Sequence, residues 1–319
     1  MAQTLMHGEL GGESAISLQY WGCFLNLPAI FLHLRPPMTP APVPPDLDQQ
    51  VDRALEEDIG TGDLTASLIP AAAQGRASVL TREPATLCGI PYVEAVFRRL
   101  DAAVDIDWHT REGAQAAAGE VLCHLRGPAR ALLTGERTAL NFLQLLSGTA
   151  TAAHAYAERI EGTGCRLLDT RKTLPGLRTA QKYAVRVGGG SNHRIGLFDG
   201  ILIKENHIMA AGSIARAIEA ARAAGASVPV EVEVESLDEL AQAIEARADI
   251  ALLDEFSLDE LIEGVALNRR SGRPLRLEAS GSVTLDSIRR IAETGVDFIS
   301  VGSITKHVHA TDLSMRFEW

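Results

Sequence analysis

The apolar positions of this chain change rhythm along its length, and each rhythm predicts a different kind of element. Leu47, Val51 and Leu55 recur at i, i+4 and i+8, which predicts a short amphipathic helix opening at Asp46 and stopped by Gly60. Arg76 to Thr81 and Val104 to Trp108 read as strands, with a helix from Val93 to Leu100 between them, a mixture that suggests a small α+β domain. A long helix is expected from about Ala129 to Leu146. Leu132, Leu133, Leu140, Phe142, Leu143 and Leu145 nearly surround it, so it belongs between layers or subunits. Glu136 and Arg137 interrupt that surface, either as an adjacent pair at an exposed edge or as a cation carried by a buried element to a shared site.

Beyond Gly148 strands and helices alternate. Strands are expected at Arg166 to Asp169, Gly200 to Ile203, Val228 to Val234, Ile250 to Leu253, Leu275 to Glu278 and Phe298 to Val301. Helical patterns at Ser213 to Ala224, Leu237 to Ala246, Leu258 to Asn268 and Leu285 to Glu293 separate most of them. The last four strands recur about every 20 to 25 residues, the spacing of successive βα units, and predict a parallel α/β barrel. An open doubly wound sheet is the alternative, but no G-x-G-x-x-G follows the first strand. The division this implies is an extension over residues 1–45, a first domain over 46–148 and a barrel over 149–319 whose final segment can return to the first domain.

Two stretches resemble functional signals without their chemistry. Tyr20 to Leu34 is apolar and aromatic, but Asn26, Pro28 and His33 break it and it is shorter than the roughly 20 residues of a membrane span. Met1 to Gln19 holds no Lys or Arg, so a signal peptide is not indicated; residues 1–37 read as an irregular extension, with Met38 a candidate start of translation. The Gly-rich EDIGTGDLT, Glu57 to Thr65, lacks the preceding strand and following Lys of a phosphate loop and reads as a structural turn.

With 319 residues and 46% hydrophobic content, the chain can bury a large core, while a net charge of -11 argues against nucleic acid or an anionic membrane as partner. Cys23, Cys88, Cys123 and Cys165 are scattered, form no C-x-x-C pair and read as reduced thiols of a cytoplasmic protein without a zinc site. Against this acidic background, Thr170 to His207 carries Arg171, Lys172, Arg178, Lys182, Arg186, Arg194 and Lys204 with only Asp199 and Glu205. Such a reversal of sign suggests a pocket that collects anions. For Arg178, Lys182 and Arg186, at i, i+4 and i+8, a solvated basic helix is an equally good reading.

The remaining chemistry falls where strands are expected to end, which is where barrel enzymes place their active groups. Arg171, Lys172 and Lys204 sit there, as does Asp254. Glu231, Glu233 and Glu235 share one face of their strand, and at least one should point into the barrel mouth. Ser280-Gly281-Ser282 and Gly302-Ser303 follow the last two strands, where small residues let backbone N–H groups approach a phosphate. Lys204 could alternatively be a Schiff-base nucleophile, though a carbonyl substrate would not need so many neighbouring cations. His307 and His309 lack a third ligand for a metal.

From about Asp46 onward the chain resembles the quinolinate phosphoribosyltransferases, also called nicotinate-nucleotide pyrophosphorylases (carboxylating). The resemblance rests on EDIGTGDLT, ERTALNFLQLLSGTAT, DTRKTLPGLR, KYAVRVGGGSNHR, ILIKENH, EVEVES, LLDEF, EASGS and VGSITKHVHATDLSMRF, all in the family's order. It implies an N-terminal α/β sandwich, an incomplete C-terminal α/β barrel, and a homodimer with shared active sites. The reaction it implies joins quinolinate to phosphoribosyl pyrophosphate with Mg2+, giving nicotinate mononucleotide, pyrophosphate and carbon dioxide without an organic cofactor. By resemblance, Arg137 of the other subunit, Arg171, His193 and Arg194 hold quinolinate, with Lys172 near the carboxylate that is lost. Glu233 and Asp254 form the acidic pair beside ribose and metal, and Lys204 lies near the phosphates. Ser280, Gly281 and Gly302 cradle the 5'-phosphate, with His307 nearby. Glu255 stands where the family frequently has Asn, and Ser282 where it frequently has Gly. A divergent homologue that binds an anion without this turnover, like the related protein found with molybdenum transport genes, is the other reading.

Overall fold

The computed structural model describes residues 41–225 and 228–318; the extension over 1–40, with Cys23 and Met38, lies outside the described residues. The first helix, α1 (Leu47–Ile59), buries Leu47, Val51 and Leu55 as their spacing predicts. Next come β1 (Gln74–Thr81), β2 (Ala85–Thr86), α2 (Ile90–Leu100), β3 (Asp105–Trp108), β4 (Gln115–Ala116) and β5 (Val121–Pro128). The short β2 and β4, and the whole of β5, carry no pattern clear enough to predict them. In the turn at Glu57 to Thr65, Asp63 accepts hydrogen bonds from the backbone N–H groups of Thr65 and Ala66 and from Thr134 Oγ1, so this Gly-rich loop is a structural turn.

The long helix α3 (Ala129–Arg159) has 31 residues and does not end near Leu146 as expected. Gly148 misleads as a stop signal because its role is close approach: a Cβ there would lie 2.0 Å from the carbonyl oxygen of His309. Past that point the alanine-rich TATAAHAYAER continues the helix with good propensity. Its Leu132, Leu140, Leu143, Leu146 and Ala150 belong to the hydrophobic core beneath the first sheet, and Ala153 belongs to the core of the second.

The remaining elements are β6 (Arg166–Leu168), α4 (Arg178–Val187), β7 (Ile201–Ile203), α5 (Glu205–Ala211), α6 (Ile214–Ala223), β8 (Val230–Val234), α7 (Leu237–Glu245), β9 (Ile250–Asp254), α8 (Leu258–Arg270), β10 (Arg276–Ser280), α9 (Ile288–Glu293), β11 (Phe298–Ser300), α10 (Ser303–Lys306) and β12 (Leu313–Glu318). Six of these strands form a parallel sheet in the order β6-β11-β10-β9-β8-β7, with β6 and β7 as its terminal strands, which do not pair with each other, so the barrel is incomplete; the outer edge of β6 makes only a short bridge with Ser191. The final strand β12 pairs antiparallel with β1, giving a four-stranded sheet in the order β12-β1-β5-β3.

Strand β8, VEVEV, decides which face is which. Val230, Val232 and Val234 pack into the core with Leu240 and Ala243 of α7 and Ile214 and Ile218 of α6, which leaves Glu231 and Glu233 on the opposite, inner face. Because the sheet is parallel, its six C-terminal strand ends open on one side. No helix among the described residues is long and apolar enough to cross a membrane. Cys88, Cys123 and Cys165 are buried without disulfide partners.

Candidate active site

The basic segment is built on a buried ion pair. Lys182, on α4, meets Asp169 at the end of β6 with both side chains out of water, and its Nζ also donates to the His193 carbonyl at 2.8 Å. Asp169 accepts from Asn192 Nδ2 at 2.6 Å and from the His193 N–H at 2.9 Å. Burial holds the Lys182 ammonium below its ordinary pKa and the Asp169 carboxyl above its own, with each partner opposing the other's shift. Arg178 donates to the carbonyls of Ile195 at 3.0 Å and Arg171 at 3.4 Å and to Thr173 Oγ1 at 3.1 Å. The solvated basic helix is therefore not what forms. Arg178 and Lys182 fasten the loops that carry Arg171, Lys172, His193 and Arg194.

Two arginines on those loops feel each other's charge. Arg194 is held below its ordinary pKa by burial and then by the charge of Arg171, and Arg171 Nε is buried with no hydrogen-bond partner. Like charges brought together with an unused donor form a ready receptor for a carboxylate. The Arg194 guanidinium is steadied by the Gly200 carbonyl at 3.0 Å.

Behind Arg194 lies a second buried group. His193 Nε2 meets Glu231 Oε2 of β8 at 2.9 Å and Glu278 Oε2 of β10 at 3.5 Å. Burial works against a charged imidazole, but Glu278 and Glu231 outweigh it and raise its pKa to about 9. Burial, then Glu231, raises that of Glu278. The Arg194 N–H also points at His193 Nδ1 from 2.7 Å, a contact that only the neutral ring accepts. The two carboxyl groups, at 2.9 and 3.5 Å, outweigh that one amide contact and favour the charged ring. Nothing local in the sequence marks a charged residue as buried, so neither the part played by Glu278 nor the pairing of Lys182 with Asp169 is legible there.

The C-terminal strand ends gather the rest. Lys204 forms an ion pair with Glu233 of β8 and its side chain is half exposed, unlike the desolvated apolar pocket of a Schiff-base lysine. Asp254 closes β9; burial, Glu233 and Glu255 raise its pKa, while Lys204 and Lys172 oppose them. Ser280 lies opposite Asp254 in the β9–β10 ladder. Lys172 runs across Gly302, where a Cβ would come 2.9 Å from Lys172 Cδ. Glu255, at φ 54°, packs on Gly281 and accepts from Ser282 Oγ at 3.0 Å. Arg137 is exposed on α3, and His307 and His309 are exposed beyond α10; among the described residues no contact joins these three to the group.

Residues 63–147 match the model of the quinolinate phosphoribosyl transferase N-terminal domain, and residues 149–316 that of the C-terminal domain. The chain is 43% identical over 260 residues to a probable nicotinate-nucleotide pyrophosphorylase (carboxylating) of Bacillus subtilis, covering 81% of this chain and 89% of that protein. It is 38% identical over 286 residues to the nicotinate-nucleotide pyrophosphorylase (carboxylating) of Homo sapiens, covering 89% and 93%. The nicotinate-nucleotide pyrophosphorylase structure from Francisella tularensis superposes with a TM-score of 0.82 at 47% identity, covering 88% of this chain and 99% of that one. With both domain models matched in order and over this share of its length, the chain belongs to the quinolinate phosphoribosyl transferase family.

Proposed function

We propose that the protein transfers phosphoribosyl from phosphoribosyl pyrophosphate to quinolinate with decarboxylation, giving nicotinate mononucleotide, pyrophosphate and carbon dioxide in NAD biosynthesis. The observation that carries this reading is the Arg171–Arg194 pair, with its buried unpartnered Nε, set beside strand ends that hold Lys172, Lys204, Glu233 and Asp254. One arginine pair suits a dicarboxylate; the lysine and carboxylate group beside it suits a phosphorylated sugar.

The division of labour follows from charge. Arg171 and Arg194, with His193 behind them and Arg137 from a second subunit of a homodimer, orient the pyridine so that its nitrogen faces the ribose C1. As the C1–oxygen bond to pyrophosphate breaks, Glu233 and Asp254 lie where positive charge develops on the ribosyl carbon, and lysine and backbone N–H groups meet the departing phosphates. Ser280, Gly281 and Gly302 form the 5'-phosphate seat, with His307 at its edge. Glu233 and Asp254 are hard oxygen donors crowded enough to raise the Asp254 pKa, which fits a Mg2+ ion held directly or through water; bound there, it would neutralise pyrophosphate charge. Once the ring nitrogen is quaternised, its positive charge stabilises the electron pair left on the adjacent ring carbon when the 2-carboxylate departs as carbon dioxide beside Lys172, and that pair takes up a proton. A cytoplasmic location accords with the buried unpaired thiols.

Purified protein incubated with quinolinate, phosphoribosyl pyrophosphate and Mg2+ should form nicotinate mononucleotide; binding of quinolinate without product would favour the anion-binding homologue. Nicotinate, which lacks the 2-carboxylate, should have a kcat/KM lower by about 10^4 or more, because it leaves a buried cation unpaired. Efficient use of nicotinate would mean that the dicarboxylate pocket is elsewhere.

A further inference from the structure

Glu278 sits on β10 at 1% exposure, with no hydrogen bond of good geometry to either oxygen, although Ser300 and Glu231 lie within reach of its carboxyl and push its pKa in opposite directions. Glu231 Oε1, 4% exposed on neighbouring β8, likewise has no well-formed hydrogen bond. Two carboxyls in such a place are costly, and an apolar pair of similar volume would fill the space without that cost. Their shared cation is His193, and the atoms that meet lie within 4.8 Å of one another. A metal ion could span that group, but the 2.9 Å separation of Nε2 and Oε2 is that of a hydrogen bond made directly between them.

His193 is held from every side. Its N–H donates to Asp169, its carbonyl accepts from Lys182, and its ring is drawn down between β8 and β10. The next residue is Arg194, whose guanidinium donates to the Gly200 carbonyl at 3.0 Å and whose charge is opposed by that of Arg171. The imidazole is thus the link between the barrel interior and the arginine pair, and the carboxyl pair is what keeps it pointing inward. Glu231 also favours the Arg194 charge that Arg171 opposes.

We infer that Glu278, acting with Glu231, is a positioning residue for quinolinate: it anchors His193 and through it sets Arg194 against Arg171 at the separation that a dicarboxylate requires. The inference rests on the reading of Arg171 and Arg194 as the dicarboxylate pocket. Glu278 does not touch substrate; it fixes the geometry of residues that do, where small displacements are expensive.

The test is the kinetics of Glu278→Gln, which keeps the shape and removes the charge. The expected result is a KM for quinolinate raised about tenfold, with the KM for phosphoribosyl pyrophosphate and kcat at saturating quinolinate within about twofold of the parent. Should that variant fail to fold, Glu231→Gln is read in the same way. Loss of kcat together with both KM values would mark a merely structural role and overturn the inference. Arg194→Lys separates the remaining cases. A quinolinate KM raised there but unchanged in Glu278→Gln sinks the positioning role alone, whereas one unchanged in both variants sinks the placement of the pocket itself.

Discussion

Lys182 and Asp169 illustrate how little a residue's name says about its job. At i, i+4 and i+8 with Arg178 and Arg186, the lysine is indistinguishable from a solvated charge, yet its side chain is 1% exposed and its partner's 0%. Lys182→Met should cost about 3 to 5 kcal/mol in urea unfolding, because it strands a buried carboxylate, while the double change with Asp169→Leu should cost much less. The His193 cluster has a pH signature. Between the ordinary imidazole value near 6.5 and the folded value of about 9, the folded protein holds a proton that the unfolded chain has released. Glu278, also raised, acts in the same direction. Folded-state proton excess means that stability from His193 is fully present below about pH 6.5 and is lost as pH rises through 9. Denaturant midpoints should therefore fall over that window in the parent protein and fall less in Glu278→Gln.

Elements show where local pattern and packing agree and where they part. The repeated strand spacing after Gly148 predicts the parallel sheet because βα units impose it from within the chain. The end of α3 differs from its local pattern because Gly148 obeys a tertiary demand, the passage of the C-terminal segment beside the helix. Gly148→Ala should thus destabilise by about 1 to 3 kcal/mol in thermal melting, since the obstacle is a backbone carbonyl that cannot rotate away. The loops after β9 and β10 carry two non-glycine residues at positive φ, Glu255 at 54° and Ser282 at 44°. They face each other over Gly281, with the Glu255 carboxylate lying on the proposed phosphate seat. Asn tolerates that backbone better and removes the charge. Glu255→Asn is expected to lower the KM for phosphoribosyl pyrophosphate by about two- to fivefold, as befits an exposed like-charge contact, and an unchanged value would mean that the carboxylate lies clear of the phosphate.

At the scale of the whole molecule, Arg137 is an exposed cation on a helix whose Leu132, Leu140, Leu143 and Leu146 are buried. If a second subunit places it over the neighbouring pocket, Arg137→Ala should nearly abolish turnover without loss of fold. Mixing it with Lys172→Ala should then restore activity through hybrid dimers, as measured after subunit exchange. No recovery would place Arg137 outside the site. The sequence by itself determined the alternation of elements, the parallel barrel and the roster of strand-end groups, Arg171, Lys172, Lys204, Glu233 and Asp254, because periodicity and position relative to strand ends are local properties. Only the tertiary structure decided which charges are buried, that Lys182 and Arg178 build the loops, that Glu278 stands behind His193, and that β12 closes on β1. Burial and pairing depend on what a distant segment brings, as Asp169 does for Lys182 and the strands β8 and β10 do for His193.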